Sequence, residues 1–256
     1  MSILTLKLIL SPIIIGSASL AGRRWGPAVS GWLIGLPLTS GPVIFFLSLN
    51  HDTTFVMSSV LGTLSGWFSL VAFSLTYAWL AVRYKWPAAI IGSMISFTLV
   101  TVLMQNLILP FLPLFILVVS IMFLGLRLLP KKSEVAPGES KPGKWDLPAR
   151  ILIGTSFILL LTEIAPFIGP RLTGLLATIP LYATILTIFA HRLQGAAGAV
   201  HVLRGLLFGM FAFASFFLAL GILIEHTGVG LAFMSAIVVA LLVQGGTLRI
   251  LSQKVN

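Results

Sequence analysis

The sequence predicts an all-α polytopic membrane protein of nine transmembrane helices, arranged as two inverted four-helix repeats joined by a fifth, connecting helix. Three observations predict it: the apolar composition, the one-sided placement of the basic residues, and a motif that occurs twice at a constant offset. With 58% hydrophobic residues, 9% charged residues and a mean hydropathy of +1.09, a soluble chain of 256 residues would be left with far too much apolar surface. The formal charge of +10 does not point to nucleic acid. No basic face with interleaved aromatics occurs, and the cations sit in short connections between apolar runs. The absence of Cys excludes a disulfide framework and a thiolate metal site. The first apolar run has the wrong flanks for a signal peptide, because only Lys7 precedes it and Arg23-Arg24 follow it.

A bilayer core of about 30 Å needs about 20 apolar residues at 1.5 Å of helical rise each. Runs of that kind predict spans at 4–21, 27–49, 55–82, 87–106, 108–129, 149–167, 170–190, 199–224 and 229–250. Only Gln105-Asn106 and Pro110 separate the fourth from the fifth, so a single re-entrant segment is the alternative there. With nine spans, one side of the membrane collects Arg23, Arg24, Arg83, Lys85, Arg127, Lys131, Lys132, Lys141, Lys144, Arg150, Arg192, Arg204, Arg249 and Lys254, and the other keeps Lys7 and Arg171. Cytoplasmic loops carry the excess of Lys and Arg, so the N-terminus is expected outside and the C-terminus in the cytoplasm.

The repeated motif is G-P-A-V-S-G-W-L-I-G-L-P-L at 26–38 and G-P-R-L-T-G-L-L-A-T-I-P-L at 169–181. Adding 143 to each number superimposes them without a gap, and the same offset continues through Gly62/Gly205, Gly66/Gly209, Phe68/Phe211 and Phe73/Phe216, and back to Lys7/Arg150. Spans one to four thus correspond to six to nine. An offset of five spans reverses each copy, which makes the repeats inverted. The expected division is repeat 1 at 1–107, a connecting helix at 108–130, a cytoplasmic linker at 131–147 and repeat 2 at 148–256. The linker is charged, rich in Pro and Gly, and without apolar periodicity.

Span two reaches Pro37 about ten residues after Gly26-Pro27, or about 15 Å along the axis, close to mid-bilayer. Span seven reaches Pro180 at the same depth from the opposite face. Each proline removes a donor and crowds the carbonyl four residues back, here Leu33 and Leu176, so both helices are expected to open there. Breaks of this kind persist only where protein or a water-filled cavity covers the freed backbone. The expected substrate site is a shared pocket lined by Pro37, Thr39, Ser40, Thr178, Pro180, Tyr182 and Thr184, residues that can hydrogen-bond without acid-base chemistry. Gly26, Gly31, Gly169 and Gly174, with Ser30 and Thr173, are read as a small-residue face for close helix packing, as are the G-x-x-x-G pairs Gly62/Gly66 and Gly205/Gly209.

Glu163 is the one carboxylate inside an expected span, and pairing with Arg171 across the Pro166 loop competes with a role in cation coupling. Arg204, one turn from His201, is read as a snorkelling cation or a contact for an anion. His51, His191 and His226 have no ligand spacing, so no metal and no cofactor is expected.

The run T-G-L-L-A-T-I-P-L-Y-A-T-I-L-T-I-F-A-H-R-L-Q-G, followed by L-R-G-L-L-F-G-M-F-A-F, resembles the small bacterial GlpM-type membrane proteins, which look like single copies of this four-span unit. The resemblance covers Thr173 to Phe213. It implies a tandem duplication in the bacterial inner membrane and transfers no site residue. His191-Arg192 have Ser48-Leu49 as their counterparts in the first copy.

Together these features predict a secondary transporter of a small organic anion or zwitterion, with partners limited to membrane lipids and that substrate. A translocase for lipids or lipid-linked intermediates would use the same architecture with a sideways-opening pocket. A non-transporting assembly or regulatory protein would need the breaks only as kinks. No catalytic residue is expected, because no paired carboxylate, His cluster or activated nucleophile lies in a span.

Overall fold

The structure is a computed structural model that describes residues 3–25, 37–130 and 146–253. Among the described residues it is all helical: α1 (Ile3–Trp25), α2 (Ser40–Ser48), α3 (Thr53–Ala81), α4 (Trp86–Gln105), α5 (Phe111–Leu128), α6 (Asp146–Ile168), α7 (Pro170–Leu176) and α8 (Leu181–Gln253). Five of these are long and apolar enough to cross a membrane by length and composition.

Nine separate helices do not stand in the described residues, and the reason is local chemistry at Gly and Pro. Gly195 (φ 67°, ψ −162°) and Gly228 (φ 76°, ψ 166°) turn the chain inside α8, which is therefore three stretches, 181–194, 196–227 and 229–253, run together. Only glycine reaches that region of backbone space at no steric cost. In the other direction, Pro180 divides the expected seventh span into α7 and the first stretch of α8. The start of the expected second span, 26–36, lies outside the described residues, as does 131–145 of the expected linker. Asp146 and Leu147, expected in the linker, belong to α6.

The alternative of one re-entrant segment over 87–129 is excluded by two complete helices, α4 and α5, separated by 106–110. Each has its own start signal, with Lys85 as N-cap and Pro87 in the first turn of α4, and Pro110 as N-cap of α5. Asp52 caps α3 through a hydrogen bond accepted from the Phe55 amide at 2.8 Å.

α3 occupies the centre and packs against α2, α4, α5, α7 and α8. Two-thirds of its apolar window is buried, against about a fifth for α4 and α5, so α3 is apolar all round because protein surrounds it. Its hydroxyls are satisfied within the helix: Ser59, Thr63, Ser65 and Ser74 each donate to the carbonyl four residues back. Thr101 of α4 donates across to Ser69 at 2.9 Å. α1 lies along α6.

α3 meets α7 through glycine. A Cβ on Gly62 would run into the Arg171 carbonyl, one on Gly174 into the Ser59 carbonyl, and one on Gly66 into the Thr178 side chain. The packing role expected of Gly62 and Gly174 is therefore seen as backbone-to-backbone approach, and that of Gly66 as a seat for the Thr178 side chain. Two glycines differ. Gly169 has φ 81° with open space around its Cβ position, so it turns the chain into α7 and packs against nothing described. Gly205 likewise meets nothing among the described residues. Gly26 and Gly31 fall outside them.

Candidate functional site

The break expected at Pro180 is present, and of the one expected at Pro37 only the side after the proline falls within the described residues. Residues 37–39 are non-helical and α2 starts at Ser40, with the Gly41 amide donating to the Pro37 carbonyl at 2.9 Å. α7 stops at Leu176, and the chain resumes as helix only at Leu181. The carbonyl that Pro180 cannot serve, that of Leu176, accepts from the Ile179 amide at 3.0 Å, and Leu175 accepts from the Thr178 amide at 3.2 Å and the Thr178 hydroxyl at 2.6 Å. The end of α7 is closed by its own chain.

A cavity of about 60 Å³ lies at the breaks. Thr39, Ser40, Thr178, Pro180 and Tyr182 line it, as expected, while Pro37 and Thr184 do not. Pro37 packs beside Gly41 on the edge of the break, and the Thr184 hydroxyl is buried without a partner elsewhere. The prolines therefore do not face each other across the cavity. The residues after them do, because α2 and the second helix both begin beyond the proline and turn their first residues inward.

Sequence reasoning missed the other walls: Trp67 and Leu70 from α3, and Leu206, Met210 and Phe213 from α8. The signal was present in the offset. Leu38/Leu181, Thr39/Tyr182, Ser40/Ala183, Trp67/Met210 and Leu70/Phe213 all line the cavity, and each pair is 143 residues apart. Trp67 packs edge-on against Phe213, with ring centroids 4.3 Å apart.

The polar content is one-sided. Ser40 Oγ and Trp67 Nε1 are fully buried and have no hydrogen-bond partner. Both come from the first half of the chain. The second half supplies mainly apolar wall, apart from Thr178, whose hydroxyl is spent on Leu175, and Tyr182, whose hydroxyl abuts Gly154 of α6. Among the described residues no ionisable cation or carboxylate lines the cavity.

The charged candidates lie elsewhere. Glu163 does not pair with Arg171; its carboxylate accepts from Lys7 Nζ of α1 at 2.8 Å. Lys7 is 4% exposed at its side chain and Glu163 66%, so the ammonium is the buried partner. Arg171 instead donates to the Met104 carbonyl at 3.2 Å, next to the end of α4. Arg204 donates to the Pro130 carbonyl at 2.8 Å, just beyond α5. Each arginine thus ties its own helix to the chain at or just beyond the end of another, Arg171 to α4 and Arg204 to the residue after α5. Nothing in sequence spacing could have paired Lys7 with Glu163, which are 156 residues apart.

A second, wider concavity of about 520 Å³ lies between the α3–α4 turn and the end of the 181–194 stretch, lined by Arg83, Tyr84, Lys85, Trp86, His191 and Arg192 among others. Arg192 stands over the Trp86 ring at 5.9 Å, and His191 Nδ1 is 3.4 Å from the Tyr77 hydroxyl. His191 is inside the helical stretch 181–194. No group of metal-ligating residues occurs among the described residues.

No family model, curated protein or solved structure matches the chain.

Proposed function

We propose that the chain is a secondary transporter of a small organic anion or zwitterion, and not an enzyme, with its substrate site in the cavity between the two helix breaks. The observation that carries this reading is the lining itself: five pairs of residues related by one offset of 143 meet in one cavity. A two-fold axis relating two copies of a unit brings equivalent residues together where it passes through the molecule. In inverted-repeat transporters the substrate site sits on that axis, at discontinuous helices.

The direction of the helices supports inversion. The chain from Thr178 to His191 runs the same way as α3, since Thr178 lies against Gly66 and His191 Nδ1 lies 3.4 Å from the Tyr77 hydroxyl. α2 turns back into α3 through the tight turn at 49–52, so it runs against α3 and hence against 183–191, its equivalent under the offset. Equivalent segments therefore point in opposite directions. In this reading the stretch ending in α2 is the second span, α7 with 181–194 the seventh, and 196–227 and 229–253 the eighth and ninth. Nine spans put the N-terminus outside and the C-terminus in the cytoplasm of a bacterial inner membrane, with the chain as a tandem duplication of a GlpM-type unit.

Glu163 lies nine residues beyond Gly154, the point where α6 touches Tyr182, or about 14 Å along the helix. Any coupling role acts through the Lys7 pair and the contact of α1 with α6, not by touching substrate. Uptake into liposomes containing the purified protein tests the transport reading. Flux should be saturable and lost in Trp67→Phe, whereas flux-free vesicles across organic anions and zwitterions, with correctly inserted protein, would leave a static membrane protein in its place.

A further inference from the structure

We infer that the concavity at the end of α3 binds the phosphate of an anionic phospholipid headgroup, held by Arg83, Lys85 and Arg192. It is separate from the cavity at the helix breaks and does not depend on transport. The three cations come from segments far apart in sequence, the α3–α4 turn and the end of the 181–194 stretch. A bias of Lys and Arg towards one membrane face accounts for cations in connections, but not for their convergence on one concavity.

Among the described residues the one ion pair is that of Lys7 with Glu163, so none of the three cations has a carboxylate partner there. Asp52 caps the opposite end of α3, and Glu225 stands about 45 Å of helix beyond Gly195. Like charges gathered without a counter-charge repel. The positive end of α4 adds to them, since Lys85 is its N-cap and its first turn holds no acidic residue. An anion relieves both.

Arg192 is held ready for it. Its guanidinium stands over the Trp86 ring at 5.9 Å, and the adjacent His191 lies 3.4 Å from the Tyr77 hydroxyl, which fixes the end of the stretch against α3 and α4. A planar guanidinium offers paired N–H donors to two oxygens of one phosphate, and Lys85 adds a compact charge.

The surroundings favour a lipid over a soluble phosphate. α3 is 29 residues long, about 43 Å at helical rise against about 30 Å of hydrocarbon, so the turn after it stands at headgroup depth. Tyr84 and Trp86 in that turn are residue types that settle at this interface. Phe189, one turn before Arg192, is exposed, as are Leu193 and Val82. These apolar side chains suit the acyl chains of a lipid whose phosphate is at the cations, and a soluble phosphoester would leave them unused.

Titration of phosphatidylglycerol into the purified full-length protein in non-ionic detergent, read by native mass spectrometry, tests the site. The first phosphatidylglycerol should bind about tenfold more tightly than phosphatidylcholine of the same acyl chains, and excess glycerol 3-phosphate or inorganic phosphate should not displace it. Arg192→Gln and Arg83→Gln should each weaken that first lipid about fivefold at unchanged melting temperature, with Arg192→Lys losing less. Arg83 lies in an exposed turn, so its variant carries the test if Arg192→Gln fails to fold. Arg127→Gln, an exposed cation at the end of α5, should leave the affinity unchanged. Equal binding of phosphatidylcholine overturns the proposal, as does an Arg127→Gln loss as large as that of Arg192→Gln, which would mean diffuse charge. Displacement by glycerol 3-phosphate or inorganic phosphate overturns the lipid in favour of a soluble phosphate.

Discussion

α3 is used in two opposite ways within little more than two turns. At Gly62 it meets α7 so closely that no side chain fits between the backbones and at Gly66 the Thr178 side chain fills the place of a Cβ, whereas Trp67 and Leu70 are in the wall of a cavity. The closed part fixes the position of α7 and therefore of the break that follows it. The open part keeps hydrogen-bonding capacity that the fold leaves unused. Substitutions in the first should be read in stability and those in the second in binding.

The largest effect is expected at the closed part. Gly174→Val places two methyl groups against the Ser59 carbonyl and the Thr63 amide, and backbone cannot move aside as a side chain can. A loss above about 3 kcal/mol is expected, seen as poor yield and a large fall in melting temperature in detergent. A variant of native stability would mean that α7 is not held by this contact.

Glu163→Gln comes next. It leaves the Lys7 ammonium, the buried member of the pair, without its counter-charge, and because Glu163 is largely exposed the cost is expected at about 1–2 kcal/mol, not the larger loss of a fully buried pair. Lys7→Met should be milder, since it leaves an exposed carboxylate and an apolar filling. Thermal unfolding of the two variants checks the order, and the reverse order would place the desolvation on the wrong residue.

Ser40→Ala sharpens the contrast from the open side. Removing a buried hydroxyl with no partner should raise stability by up to about 1 kcal/mol while lowering ligand affinity. A destabilised variant would show that the hydroxyl serves the fold. The smallest effect is expected for Gly205→Ala, whose Cβ meets nothing described, so a change within about 1 kcal/mol, favouring the helix, should appear in the melting temperature.

Much of this arrangement was legible in the sequence because proline and glycine act locally. Pro180 announced a break that is present and Pro37 the non-helical residues before α2, and the residues just after them, Thr39, Ser40 and Tyr182, were placed at the cavity with Thr178. The α3–α7 contact was written in Gly62, Gly66 and Gly174. What stayed hidden depends on how distant elements meet. Trp67 and Met210 share neither size nor polarity, so their equivalence is visible only once both line one wall. The Lys7–Glu163 pair joins two helices from opposite ends of the chain, and Arg171, the nearer cation, was drawn off by a carbonyl at the end of α4. Gly169 and Gly205 were read as packing residues because small size is ambiguous between close approach and backbone freedom. Gly195 and Gly228 fall in the gaps expected between the seventh and eighth and between the eighth and ninth spans, 191–198 and 225–228, and the chain kinks at both.

The account depends most on the inversion of the two halves, and the chain's lack of cysteine makes that directly measurable. His51 and Gln194 are equivalent under the 143 offset. His51 lies before the start of α3, and Gln194 lies next to Gly195 in the concavity that borders the other end of α3. His51→Cys and Gln194→Cys, introduced singly, should react with a membrane-impermeant maleimide from opposite sides of the bilayer, His51→Cys from outside and Gln194→Cys only after the cytoplasmic face is opened. Labelling of both from the same side would contradict the inverted repeat and remove the symmetry on which the shared site rests.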